Sequence, residues 1–177
     1  NLLGVFLSTN NGISWTSVND GLSSNISVTK LAVNDNKLFA GTSSGIFNST
    51  NNGTNWNLLN SGLQGVNSFT FSGNYIIVGK SQGGAGIYVS SDNGLNWNQT
   101  FNYSVYALAR SPNTTGGYNI FAASSQGVLL STDNGLNWNI VLNPLSNYGF
   151  YSIVTNGNII YAGSGGAQLI FRSSDNG

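Results

Sequence analysis

The chain contains no cysteine, methionine or histidine, and its five acidic residues are all aspartate, so glutamate is missing too. Without cysteine there is no disulfide framework, no thiolate chemistry and no sulfur-ligated metal. Charged residues make up only 6% of the sequence, against about 25% in an average soluble domain. Five basic residues balance five acidic ones, which leaves no electrostatic footprint for DNA, RNA or anionic lipid. No apolar run is long enough to span a membrane, and no basic segment leads into a signal-like apolar stretch. A net charge of zero also removes the self-repulsion that keeps proteins apart. Hydrophobic residues nevertheless reach 40%, which excludes the disorder signature and predicts a folded chain. Asparagine, serine and threonine fill the surface that charges usually occupy, a composition that reads as extracellular.

What is present is a repeat. Trp15, Trp56, Trp97 and Trp138 follow one another at intervals of 41 residues. Each closes the same phrase, built on Ser8, Asn10, Gly12 and Trp15; Ser49, Asn51, Gly53 and Trp56; Ser90, Asp92, Gly94 and Trp97; and Ser131, Asp133, Gly135 and Trp138. A fifth copy begins with Ser173, Asp175 and Gly177. A fixed period near 40 means one supersecondary unit that buries its apolar faces only against copies of itself.

Each period holds four short apolar runs bounded by turn residues, the pattern of an all-β unit. The first full period predicts strands over 28–33, 37–41, 45–49 and 55–59, and the later periods repeat them. The second strand is apolar on consecutive positions, as in Leu38-Phe39-Ala40-Gly41 and Ile76-Ile77-Val78-Gly79, so both of its faces should be covered. A four-stranded antiparallel sheet, apolar on both sides and repeated every 41 residues, is a β-propeller blade. The expected organisation is a single propeller region over 1–177, with a partial blade at 1–27, blades at 28–65, 66–104 and 105–149, and a partial blade at 150–177. That gives about four blades, as part of a larger propeller or of a subunit whose open blade edges pair with another chain. The Asn or Asp of each phrase is expected to bind a backbone amide two residues on, and the following Asn-Gly pair tolerates positive φ. The tryptophan should then return along the outer strand and be buried, a stabilising role.

This phrase resembles the Asp-box, or BNR repeat, Ser-x-Asp-x-Gly-x-x-Trp, of sialidases, sortilin-type receptors, xyloglucanase-like glycoside hydrolases and photosystem II assembly factors. The resemblance covers the whole chain, with Asn in place of Asp at positions 10 and 51. It implies a propeller in which the boxes lie away from the functional face. The wording of the repeats is similar to secreted tandem-box surface and adhesin-like proteins of environmental bacteria.

Sialidase resemblance would imply three arginines and a Tyr–Glu nucleophile pair, but only Arg110 and Arg172 are present and there is no Glu. Other glycosidases need two carboxylates flanking the bond. Asp20 and Asp35, the only carboxylates outside the boxes, read as turn residues. Five dispersed aspartates offer no metal cluster. No catalytic residue, metal or cofactor is therefore expected, and binding remains. Tyr103, Tyr106, Tyr148 and Tyr151 fall in or beside the third and fourth inter-blade connections, where they could stack on a carbohydrate or a peptide. Asn-x-Ser/Thr sequons at Asn25, Asn48, Asn52, Asn98, Asn102 and Asn113 permit glycosylation without arguing for it. The expected function is a non-enzymatic extracellular or cell-surface module for binding, adhesion or structure, with carbohydrate or protein partners and self-association through open blade edges. The alternative is a fragment of a secreted carbohydrate-active enzyme whose catalytic residues lie elsewhere.

Overall fold

The computed structural model describes residues 4–143, 149–165 and 169–177. Among the described residues every regular element is a β-strand. The chain divides into two compact units, Asn1–Val66 and Asn67–Gly177.

In the first unit, β1 (Phe6–Leu7) pairs with β2 (Thr16–Ser17), and a four-stranded sheet follows from β3 (Val28–Asn34), β4 (Lys37–Thr42), β5 (Gly45–Ser49) and β6 (Asn57–Asn60). The second unit holds two more such sheets. One comprises β7 (Ser68–Ser72), β8 (Tyr75–Lys80), β9 (Gly86–Ser90) and β10 (Asn98–Phe101). The other comprises β11 (Val105–Pro112), β12 (Tyr118–Ser124), β13 (Gly127–Ser131) and β14 (Asn139–Leu142). A three-stranded sheet of β15 (Phe150–Asn156), β16 (Ile159–Ser164) and β17 (Ile170–Ser173) completes it. All the sheets are antiparallel meanders in sequence order, as hairpin-length connections require.

The consecutive apolar residues of the second strands are covered on both faces: Phe39, Ala40, Ile77, Val78, Phe121 and Ala122 are all buried. Within the second unit, Ile77, Ile87 and Val89 of one sheet pack on Ile120, Ala122 and Leu129 of the next. The first strands of its three sheets are stitched together by polar contacts. The Leu108 amide donates to Ser68 Oγ at 2.9 Å, Arg110 Nη1 donates to the Phe71 carbonyl at 2.8 Å, and Thr155 Oγ1 donates to the Arg110 carbonyl at 2.6 Å.

The repeated phrase forms one turn five times over. Its serine hydroxyl donates to the Asn or Asp side-chain oxygen and accepts the amide of the box glycine. At Ser90 these bonds measure 2.8 Å to Asp92 and 2.9 Å from Gly94. The carboxylate or amide oxygen reaches four residues on, not two: the Asn96 amide donates to Asp92 Oδ1 at 2.9 Å, and the Asn55 amide does so to Asn51. The longer reach follows from the backbone, since Asn93 and Gly94 both sit at positive φ (60° and 91°) and curl the chain back over the carboxylate. Asn51 accepts the Ser49 hydroxyl and the Asn55 amide as Asp92 accepts the Ser90 hydroxyl and the Asn96 amide, without the further bond from the Asn96 side chain to Asp92 Oδ2, so the Asn-for-Asp exchange keeps the two bonds that close the turn.

The tryptophans lie just before the outer strands, not on them; β6, β10 and β14 each start one residue later. Their burial is graded. Trp56 is 3% exposed, donates its indole N–H to the Val18 carbonyl at 2.9 Å and packs on Val5 and Phe47. Trp97 and Trp138 are half-buried, and Trp15 is 62% exposed. Burial is therefore a property of what lies beside each box, and the expectation that all four are buried fails at Trp15.

Trp56→Ala is expected to cost about 3–5 kcal/mol, as for other buried aromatics, whereas Trp15→Ala should stay within about 0.5 kcal/mol. Urea unfolding of both variants checks this, and equal losses would contradict it.

Candidate functional site

Within each unit the connections between sheets and the loops between second and third strands meet on one face. In the second unit the Ser125 amide donates to the Ser104 carbonyl at 2.9 Å, Ser104 Oγ to the Ser81 carbonyl at 3.0 Å, and the Gly165 amide to the Gly149 carbonyl at 3.3 Å. In the first unit the Ser43 amide bonds the Ser27 carbonyl and the Gly65 amide bonds the Thr42 carbonyl. These bonds satisfy backbone groups that no ladder reaches, and so fix the loops.

Two of the sequence-predicted tyrosines come together on this face. The rings of Tyr106, at the start of β11, and Tyr151, at the start of β15, stack at 4.3 Å with an interplanar angle of 23°. Tyr151 is 50% exposed and Tyr106 is half-buried beneath it. Gly165 lies so close to the Tyr151 ring that a Cβ has no room there. Burial, followed by the neighbouring Tyr151 hydroxyl, raises the Tyr106 phenol above its ordinary pKa. Tyr103 is 49% exposed and packs instead against Phe101, with ring centroids 5.6 Å apart. Tyr148 lies outside the described residues. Phe150 is buried and packs edge-on against Phe171.

Sequence reasoning missed Lys80. Its residue is buried, its ammonium donates to the Gly83 carbonyl at 2.7 Å, and it lies 5.8 Å from the centroid of the Tyr88 ring. Desolvation lowers its pKa. The signal was available: Thr42, Ser124 and Ser164 hold the same strand-end position, so the cation is the odd residue of the set.

Arg110 donates to the Phe71 carbonyl and lies 4.3 Å over the Tyr118 ring. Asp35 sits at φ 51° in the β3–β4 hairpin, and the Asp20 carbonyl accepts the Trp56 amide. Among the described residues, no three acidic groups gather where a metal ion could be held.

No protein-family model and no curated protein matches the chain. Solved structures do. An ancestral GH74 enzyme superposes with a TM-score of 0.66 at 24% identity, over 97% of this chain and 28% of its own. YCF48 bound to a D1 peptide matches with a TM-score of 0.65 at 20% identity, over 97% and 58% of the two chains. The extracellular domain of a two-component system protein from B. thetaiotaomicron reaches a TM-score of 0.71 at 15% identity, over 92% and 23%. The chain thus spans between about a quarter and three-fifths of the length of these structures. With its four-stranded antiparallel sheets, this likeness defines the fold as β-propeller.

Two box carboxylates, those of Asp92 and Asp133, set a pH dependence. Hydrogen bonds from the Asn96 amide, the Asn96 side chain and Ser90 lower the Asp92 carboxyl to about 2. At Asp133 burial acts upward, but bonds from Asn137 and Ser131 outweigh it and the pKa again falls. A carboxyl depressed by folding contributes stability above its unfolded pKa and loses it as pH falls through the folded value. Stability should therefore decline from about pH 4 toward about pH 2. The double variant Asp92→Asn, Asp133→Asn should flatten that decline while keeping the turns, as Asn10 and Asn51 do. Acid melts of the two proteins test this; superimposable curves would contradict it.

Proposed function

We propose that this chain is a non-enzymatic, extracellular saccharide-binding module in which Asp-box turns are scaffold and the Tyr106–Tyr151 pair is the binding platform. The observation that carries the reading is the stacked pair itself: two tyrosine rings, one half-exposed, held on a face where backbone hydrogen bonds fix the loops. A tyrosine face stacks on the C–H face of a pyranose, and the lower ring keeps the upper one from collapsing at little entropic cost. The serine-rich loops around it supply hydroxyl donors and acceptors suited to sugar hydroxyls. On this reading the blades divide at residues 28, 66, 105 and 150, at or just before the first strands. The aspartates hold turns and none takes part in chemistry. An extracellular setting agrees with the charge-poor surface and with the extracellular domain among the structural neighbours.

A second reading has one observation in its favour, the GH74 enzyme among the neighbours. There the chain is a segment of a carbohydrate-active enzyme whose carboxylates lie in other blades, and the tyrosine pair is a subsite.

Titration with cello-oligosaccharides and xyloglucan oligosaccharides, followed by the tyrosine ring resonances, tests the platform. Binding should perturb Tyr106 and Tyr151 together, and Tyr151→Ala should weaken it roughly tenfold, about 1.4 kcal/mol. Binding that survives Tyr151→Ala, or no binding at millimolar sugar, would contradict it. Hydrolysis of the oligosaccharides would contradict the non-enzymatic reading.

A further inference from the structure

Six Asn-Gly pairs occur in the chain, at residues 11–12, 52–53, 93–94, 134–135, 156–157 and 176–177. This pair cyclises more readily than others, because glycine has no side chain to hinder attack of its backbone nitrogen on the asparagine Cγ. A repeat that carries it in every box must hold that nitrogen away from that carbon. The box turn does so. The amides of Gly12, Gly53, Gly94, Gly135 and Gly177 donate to the hydroxyls of Ser8, Ser49, Ser90, Ser131 and Ser173 at 2.8–2.9 Å. The asparagines before these glycines are held at φ between 56° and 68°, and Asn134 Oδ1 also accepts the Ser72 hydroxyl at 2.7 Å.

The pair at Asn156 and Gly157 stands outside the boxes. It opens the two-residue turn between β15 and β16, where Asn156 pairs with Ile159 and Gly157 sits at φ 57°. Among the described residues the Gly157 amide donates to no acceptor. Two other hairpins have the same length: Asn34 pairs with Lys37, and Ser72 with Tyr75. In the first the asparagine precedes Asp35, and in the second a serine precedes Gly73, so neither combines both halves of the reactive pair. The tip is open to water in either setting, since Gly73 and Asn74 are exposed as Gly157 and Asn158 are.

We propose that Asn156 is a site of spontaneous covalent modification, converted through a cyclic imide with Gly157 to aspartate and isoaspartate, while the box serines protect the other Asn-Gly pairs. The Gly157 nitrogen gives its proton to hydroxide and bonds to Asn156 Cγ, and the side-chain nitrogen leaves as ammonia. Water then opens the five-membered imide at one of its two carbonyls. Breaking the new bond to Cγ leaves aspartate, whereas breaking the original peptide bond leaves isoaspartate, with the main chain running through Cγ. The balance is one water consumed and one ammonia released, with no oxidant or reductant.

Either product adds a negative charge to a chain whose formal net charge is zero. Isoaspartate also lengthens the main chain by one carbon at the mouth of the turn. That disturbs the Asn156–Ile159 pairing and the 2.7 Å bond from the buried Ser111 hydroxyl to the Gly157 carbonyl. Conversion therefore loosens the β15–β16 hairpin where it meets β11.

The test incubates the 177-residue protein in mildly alkaline buffer, folded and in guanidinium chloride, and follows each Asn-Gly pair by peptide mapping. Fragmentation that separates aspartate from isoaspartate identifies the products. In the folded protein Asn156 should convert roughly tenfold faster than Asn52, Asn93 and Asn134, the factor expected where one hydrogen bond must first break. In denaturant the four rates should converge, because the turns alone set them apart. Ser90→Ala, followed at a temperature where it remains folded, should raise the Asn93 rate above that of Asn52. Three results would overturn the proposal: equal rates at the four pairs in the folded protein, a difference that persists in denaturant, or an unchanged Asn93 rate in Ser90→Ala.

Discussion

The structure depends on a serine hydroxyl placed inside a tight turn. In each box that hydroxyl donates to a side-chain oxygen and accepts a glycine amide four residues on, and in the first four boxes the same side-chain oxygen accepts a second amide from beyond the glycine. Two residues at positive φ are held in place by these bonds, and asparagine followed by glycine is the pair that adopts that shape at least cost. Where Gly53, Gly94 and Gly135 make this bond it is buried, and a buried amide left unpaired would cost about 1–3 kcal/mol. The turn is thus strongly specified by local chemistry.

From the turn follows the position of the tryptophan. It emerges before the outer strand and is wedged beside neighbouring apolar residues, Val5 and Phe47 for Trp56, and Ile77 and Phe101 for Trp138. Each third strand runs from the loop face to the box, so scaffold chemistry gathers at one end of the strands and the loops at the other. The tyrosine pair stands at the loop end, where no box constrains the sequence. This division lets the turns repeat almost unchanged while the loop residues vary from one repeat to the next.

The repeat made the strands and their order legible before any coordinates. Period, turn residues and doubly apolar second strands each point to a blade, and every sheet has that meander order. What the repeat concealed was the difference between its copies. Trp15 and Trp56 both close a Ser-Thr-Asn-Asn-Gly-x-x-Trp phrase, yet one is exposed and the other buried, because burial depends on what packs beside the box. The pairing of Tyr106 with Tyr151 needed the lateral placement of two first strands, 45 positions apart in sequence. Their positions beside the connections were legible; their contact was not. Lys80 could have been singled out by comparing strand ends across repeats, since one cation among small hydroxyl residues breaks a local rule.

The central claim, that the box turn is the most tightly held part of the molecule outside the strands, is tested most directly by amide hydrogen exchange at the box glycines. The account predicts that Gly53, Gly94 and Gly135 exchange as slowly as neighbouring strand amides, with Gly12 in the exposed first box exchanging faster. Exchange of all four at the rate of ordinary loop amides would contradict it.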